Sequence, residues 1–151
     1  KLKLIYIPGH TLGHVCFYFE IEKVAFTGDT LFSLGCGRIF EGTYEQMYKS
    51  LNKIKNLPKD TKIYCGHEYT KKNYEFCKKI EPKNIYLNKK IDEINFKISK
   101  KLPTIPTTLK EELNCNVFLR CNLEQIKSSL NMKNDSPIAV FSKLRDLKDN
   151  F

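Results

Sequence analysis

The sequence predicts an α/β protein in two parts, a strand-rich half punctuated by glycines followed by an all-helical half. Three observations carry that prediction. Apolar residues alternate at period two before about residue 68, recur at helical spacing beyond Tyr69, and nearly every predicted strand runs into a glycine loop. At 151 residues with 41% hydrophobic content, the chain can bury a core in one domain, or in one domain plus a helical appendage.

Lys1 to Ile7 reads as a strand entered midway, with Leu2, Leu4 and Tyr6 alternating against Lys1, Lys3 and Ile5; residues upstream are expected. Val15 to Ile21 and Val24 to Thr27 are β-branched and aromatic, and Glu22-Lys23 separates them as in a hairpin. Thr43 and Gln46 have capping-box spacing, so a helix begins there, with Met47, Leu51 and Ile54 on one face and Leu57-Pro58-Lys59-Asp60 as its end. Lys62 to Cys65 is the next strand. Beyond Tyr69 the pattern predicts about five helices and no strand. Leu87, Ile91, Ile94, Ile98 and Leu102 form one apolar stripe, Thr108 with Glu111 another capping box, and Ser136-Pro137 a further helix start. Val140, Leu144, Leu147 and Phe151 make the last stripe, and Pro103-Thr104-Ile105-Pro106 is a rigid connector. The expected division is 1–68 and 69–151.

Composition narrows the function classes. Twenty-six Lys and Arg against 17 Asp and Glu give +9, which fits nucleic acid, an acidic membrane surface or an anionic small substrate equally well. The pairs Lys71-Lys72, Lys78-Lys79, Lys89-Lys90 and Lys100-Lys101 read as solvated helix faces. The six cysteines contain no Cys-x-x-Cys, so neither a zinc ribbon nor a disulfide scaffold is indicated, and a reducing, cytoplasmic setting is expected. No apolar run reaches the roughly 18 residues of a membrane span, and the residues from Lys1 onward do not read as a signal peptide.

The chemistry sits where strands end. Pro8-Gly9-His10-Thr11-Leu12-Gly13-His14, Phe26-Thr27-Gly28-Asp29-Thr30 and Tyr64-Cys65-Gly66-His67-Glu68-Tyr69 hold all 3 histidines and an aspartate among glycines. Glycine before each of His10, Asp29 and His67 allows a sharp turn that projects a good ligand from a strand end. Neutral imidazoles and a carboxylate suit Zn(II), Fe(II) or Mn(II), and the two oxygens of a carboxylate can bridge two ions. His14 has helical spacing from His10, but Gly9 and Gly13 argue against a helix, so it reads as a structural or supporting residue.

These segments, with Gly35-Cys36-Gly37-Arg38, Pro103-Thr104-Ile105-Pro106-Thr107-Thr108-Leu109, Asn116-Val117-Phe118-Leu119-Arg120 and Leu144-Arg145-Asp146-Leu147-Lys148-Asp149, resemble glyoxalase II, the hydroxyacylglutathione hydrolases of the metallo-β-lactamase superfamily. The resemblance runs along nearly the whole chain. It implies the C-terminal half of an αβ/βα sandwich followed by a helical substrate domain, in a metal-dependent thioester hydrolase. His10 and His67 would bind one ion each of a pair, zinc in the first instance with iron or manganese as alternatives. Asp29 would bridge them around a shared hydroxide. The substrate would be S-D-lactoylglutathione, cleaved to glutathione and D-lactate. Arg145 and Lys148 would hold the glycine carboxylate, while Arg38, Phe40 and Tyr69 match positions that contact the tripeptide.

Two departures matter. Many relatives carry Lys-Phe-Tyr where this chain has Arg38-Ile39-Phe40, so a hydroxyl is absent at Phe40. The family's His-x-His-x-Asp-His motif is missing too, so the remaining ligands are expected upstream, and the 151 residues alone are expected to be inactive. The expected protein is a monomer with no nucleic-acid or membrane partner. Persulfide dioxygenase, which shares the Gly-Cys-Gly-Arg stretch, and a basic RNA-binding module stand as the alternatives.

Overall fold

The computed structural model describes residues 1–151. Three antiparallel strands open the chain: β1 (Leu2–Tyr6), β2 (Val15–Phe19) and β3 (Val24–Gly28). A short hairpin of β4 (Leu31–Phe32) and β5 (Gly35–Cys36) leads to helix α1 (Tyr44–Lys55), capped by the predicted Thr43–Gln46 box. The chain then returns as β6 (Lys62–Cys65), parallel to β3, so the carboxyl ends of β3 and β6 lie side by side.

Five helices follow: α2 (Thr70–Ile80), α3 (Ile85–Ser99), α4 (Leu109–Cys115), α5 (Glu124–Ser129) and α6 (Pro137–Asp149), with a 3₁₀ turn at Val117–Leu119. The prediction of no strand in this half needs correction. Thr107–Thr108, β7, pairs antiparallel with β6 and completes a five-stranded sheet in the order β1-β2-β3-β6-β7. Two residues are too short to show a period, so the pairing was invisible in the pattern. The β4–β5 hairpin was missed for the same reason.

One face of the sheet, with Cys16, Tyr18, Ala25 and Ile63, joins Met47, Leu51 and Ile54 of α1 and the helical half in a single core of 27 buried residues. The opposite face is apolar and open: Leu2, Leu4, Tyr6, Phe17, Phe19 and Phe26 are all exposed. The α3 stripe is shorter than predicted. Leu87 and Ile94 are buried, but Ile98 is exposed and Leu102 lies past the helix end at Ser99. In the last stripe Val140 and Leu144 are buried, whereas Leu147 and Phe151 are partly exposed. Lys90 is no solvated lysine: it is buried and paired with Glu111 at 2.7 Å. No helix is long and apolar enough to cross a membrane.

Candidate active site

Asp29 sits just past the end of β3, in a turn closed by Thr30 N–H donating to Thr27 C=O at 3.1 Å. Gly28 has a left-handed φ of +51°, where a side chain is strained. Space is equally restrictive, because a Cβ on Gly28 would overlap the His14 ring, one on Gly37 the Asp29 carbonyl, and one on Gly66 the Asp29 carboxylate. The glycines noted in the sequence therefore let three backbones close around one aspartate.

His10 and His67 both converge on that aspartate. His10 Nε2 lies 3.4 Å from Asp29 Oδ2, and His67 Nε2 lies 3.4 Å from Asp29 Oδ1, so each imidazole addresses a different carboxylate oxygen. The His10 ring is oriented by its other nitrogen, Nδ1, which is 2.8 Å from the Arg38 carbonyl. A neutral ring donating there turns its Nε2 lone pair toward the carboxylate, acceptor against acceptor. A proton on Nε2, or a metal cation held between the two groups, resolves that clash. Two ligands bound at about 2.1 Å to one tetrahedral ion stand about 3.4 Å apart, so the donor set fits metal. It is not sufficient by itself, since no group of three or more metal-binding side chains completes a site.

His14 is not a third imidazole ligand. Its Nε2 accepts from the Asp29 backbone N–H at 3.1 Å and its Nδ1 faces Thr11 Oγ1 at 3.4 Å, so both ring nitrogens are engaged. Burial, and then the nearby His10, push its pKa down.

A cavity of about 520 Å³ opens beside Asp29 and is lined by all eight residues expected to bind metal or substrate: His10, Asp29, Arg38, Phe40, His67, Tyr69, Arg145 and Lys148. Tyr69 stacks on His67 with ring centroids 4.8 Å apart, and Phe40 tilts against His10 at 5.0 Å. Lys148 on α6 lies over the rings of Phe76 and Phe151, and burial, Arg145 and Lys72 together hold its pKa down at about 8. Arg145 reaches the wall from the same helix but is buried. Its guanidinium donates to Cys36 C=O at 2.6 Å and to Asp149 Oδ1 at 2.8 and 3.1 Å, tying α6 to the glycine loop.

Sequence reasoning missed Asp149 and Lys72. Asp149 also stands 3.6 Å from Arg38 Nε, so one carboxylate links two cations of the cavity. Its i,i+4 spacing from Arg145 was a usable signal. Lys72 lay hidden in a lysine pair that had no feature to mark it as cavity-facing.

Comparison with known proteins adds independent findings. Residues 68–151 match the family model described as hydroxyacylglutathione hydrolase C-terminus, and residues 1–67 match that of the metallo-beta-lactamase superfamily. A hydroxyacylglutathione hydrolase of Pelagibacter ubique (strain HTCC1062) is 60% identical over 151 residues, all of this chain and 57% of that protein. One from Rhodopseudomonas palustris (strain BisA53) is 45% identical over 147 residues, 97% of this chain and 58% of that protein. The chain thus spans less than three fifths of these relatives' length. The crystal structure of BLEG-1 B3 metallo-beta-lactamase aligns with a TM-score of 0.51 at 26% identity, covering 78% of this chain and 41% of that one.

Proposed function

The chain belongs to the hydroxyacylglutathione hydrolase family, within the metallo-β-lactamase superfamily, and from that premise we propose that it serves the hydrolysis of the thioester of S-D-lactoylglutathione to glutathione and D-lactate. The observation that carries the reading is the pair of 3.4 Å approaches by which His10 and His67 each face a different oxygen of Asp29. In this reading His10, Asp29 and His67 hold a pair of divalent ions, zinc or else iron or manganese. Further donors must join these three, since three ligands cannot hold two ions firmly. When bound, such ions supply Lewis acidity that makes water a nucleophile at neutral pH and polarises a carbonyl.

The remaining residues bind and orient the substrate. Glutathione carries two carboxylates, and the cavity answers with Arg38, Lys148 and the charge of Arg145 behind the wall. Tyr69, half-exposed and held against His67 by stacking, offers its hydroxyl to the tripeptide. Phe40 gives that neighbourhood an apolar surface without a hydroxyl. The helical residues 69–151 then act as the substrate-binding part, with Glu68 fastening them. Its carboxylate accepts from the Thr104 N–H at 3.0 Å and the Ile105 N–H at 3.3 Å, joining the His67 turn to the connector.

The test is Asp29→Ala in a full-length chain containing these residues, with metal analysis and lactoylglutathione hydrolysis as readouts. Loss of both metals and a fall in kcat by several orders of magnitude is the expected result. Retained metal with normal turnover removes Asp29, and with it the reading.

A further inference from the structure

We propose that His14 is a positioning residue for the metal centre: it fixes Asp29 through the backbone, by accepting the Asp29 N–H at its Nε2. The inference rests on the proposed role of Asp29 as a bridging ligand and extends it to a residue outside the ligand set.

The sheet itself brings the pair together. β2 and β3 pair with Phe17 opposite Phe26 and Phe19 opposite Val24, and the same register continued past the strand ends sets His14 opposite Asp29. At that point the ladder stops, because Gly28 turns left-handed and leaves the Asp29 N–H with no backbone acceptor of its own. His14 Nε2 supplies the missing acceptor at 3.1 Å. Leaving this part-buried N–H unpaired carries a cost, so the bond favours one rotation of the peptide plane ahead of Asp29. That plane anchors the backbone from which the Asp29 side chain departs.

His14 is well placed to impose this geometry because it is held from other sides. Its carbonyl accepts from the Ile7 N–H at 2.9 Å, which ties it to the end of β1, and its ring edge closes on Gly28. Asp29 is likewise enclosed by Gly37 and Gly66, so a change in its peptide plane has no slack in which to be absorbed. The bond requires an unprotonated Nε2 and therefore a proton on Nδ1, the nitrogen facing Thr11 Oγ1. That arrangement leaves His14 no lone pair for an ion.

The experiment compares H14Q, whose amide oxygen can reach the Nε2 position, with H14N, whose oxygen stops at the Nδ1 position. Both are made in the zinc-loaded full-length chain, with D29N as reference. Zinc affinity is read by competition with a chelator, together with kcat, KM and hydrogen exchange of the Asp29 amide. Supporting partners of metal ligands typically contribute about 10–100-fold in affinity or activity. The expected result is a loss of that size in zinc affinity and kcat for H14N, with KM little changed and faster exchange at Asp29, and recovery of most of it in H14Q. Wild-type affinity and kcat in H14N, or an equal loss in both variants, overturns the proposal. Should H14N fail to fold, H14Q decides: affinity within threefold of wild type supports it and a tenfold loss overturns it. Retained zinc in D29N removes the underlying assignment of Asp29, whereas zinc loss in D29N beside an unaffected H14N removes only the inference about His14.

Discussion

At the scale of single residues, the cavity places an unusual lysine where an anionic tripeptide would lie. Lys148 rests over the rings of Phe76 and Phe151, and burial, then Arg145 and Lys72, bring its pKa down to about 8. An ordinary lysine stays charged to above pH 10, whereas Lys148 sheds its proton just above neutrality. Binding of a carboxylate by Lys148 therefore weakens between pH 7 and pH 9. KM for lactoylglutathione in the full-length chain should rise across that interval, and Lys148→Arg should flatten the rise, because a guanidinium stays charged throughout. A wild-type KM that does not change with pH would contradict the assignment. Stability runs the other way. The folded value lies below the unfolded one, so the unfolded state holds more protons between about 8 and 10.5 and the fold gains stability as pH climbs through that window. Gly28 gives a second prediction at this scale. Gly28→Ala forces a Cβ into the His14 ring at a φ of +51°, and should lower unfolding stability by at least the roughly 1–2 kcal/mol of the left-handed strain alone. Thermal denaturation measures the loss, and an unchanged midpoint refutes the strained-turn account of how Asp29 is presented.

At the scale of elements, what was legible in the sequence was what is local in the chain. The capping boxes Thr43–Gln46 and Thr108–Glu111 lie within four residues each, and both form. The glycine turns before His10, Asp29 and His67 are local too, and the three side chains converge. The β4–β5 hairpin, whose strands are too short to show a period, is also supported from far along the chain. Glu112 on α4, fully buried, accepts from the Leu34 N–H at 2.8 Å, the Thr107 hydroxyl at 2.8 Å and the Asn116 amide at 2.9 Å. Asn116 in turn donates to the Gly35 carbonyl at 3.1 Å. No periodicity records a carboxylate serving a loop 78 residues away. The burial of Lys90 escaped notice for the same reason, its partner Glu111 being 21 residues distant. Glu112→Ala should thus loosen the hairpin that carries Cys36 and Gly37 into the cavity wall. Stranding up to three donors, at roughly 1–3 kcal/mol apiece, should destabilise the chain by several kcal/mol in urea titration. A loss below 1 kcal/mol would show that water replaces the carboxylate.

At the scale of the whole molecule, one surface has no counterpart in the chain. Period two identified the opening strands correctly but could not say which of their faces would be covered, because both carry apolar residues. The covered face bears Cys16, Tyr18, Ala25 and Ile63. The open one bears a continuous aromatic patch, with Phe19 and Phe26 edge to face at 6.0 Å and Phe26 stacked on Tyr64 at 5.3 Å, flanked by Leu2, Leu4 and Phe17. Single exposed apolar residues are ordinary, but a contiguous sheet face of them marks a surface that associates with something. The 151 residues alone should therefore bind a hydrophobic fluorescent dye and self-associate at micromolar concentrations. Phe17→Lys combined with Phe26→Lys tests the cause directly. Both residues are directly paired across β2 and β3 and both are more than two-fifths exposed, so the substitutions interrupt the patch while removing little buried area. The expected loss in stability is only about 1–2 kcal/mol in total, whereas dye binding should fall several-fold and sedimentation should shift toward a single monomeric species. If the unsubstituted chain is already monomeric and dark to the dye, the aromatic face is not an associating surface. If the double variant associates as before, the contact lies elsewhere, and the exposed end of α3 around Phe96 and Ile98 becomes the face to interrupt next.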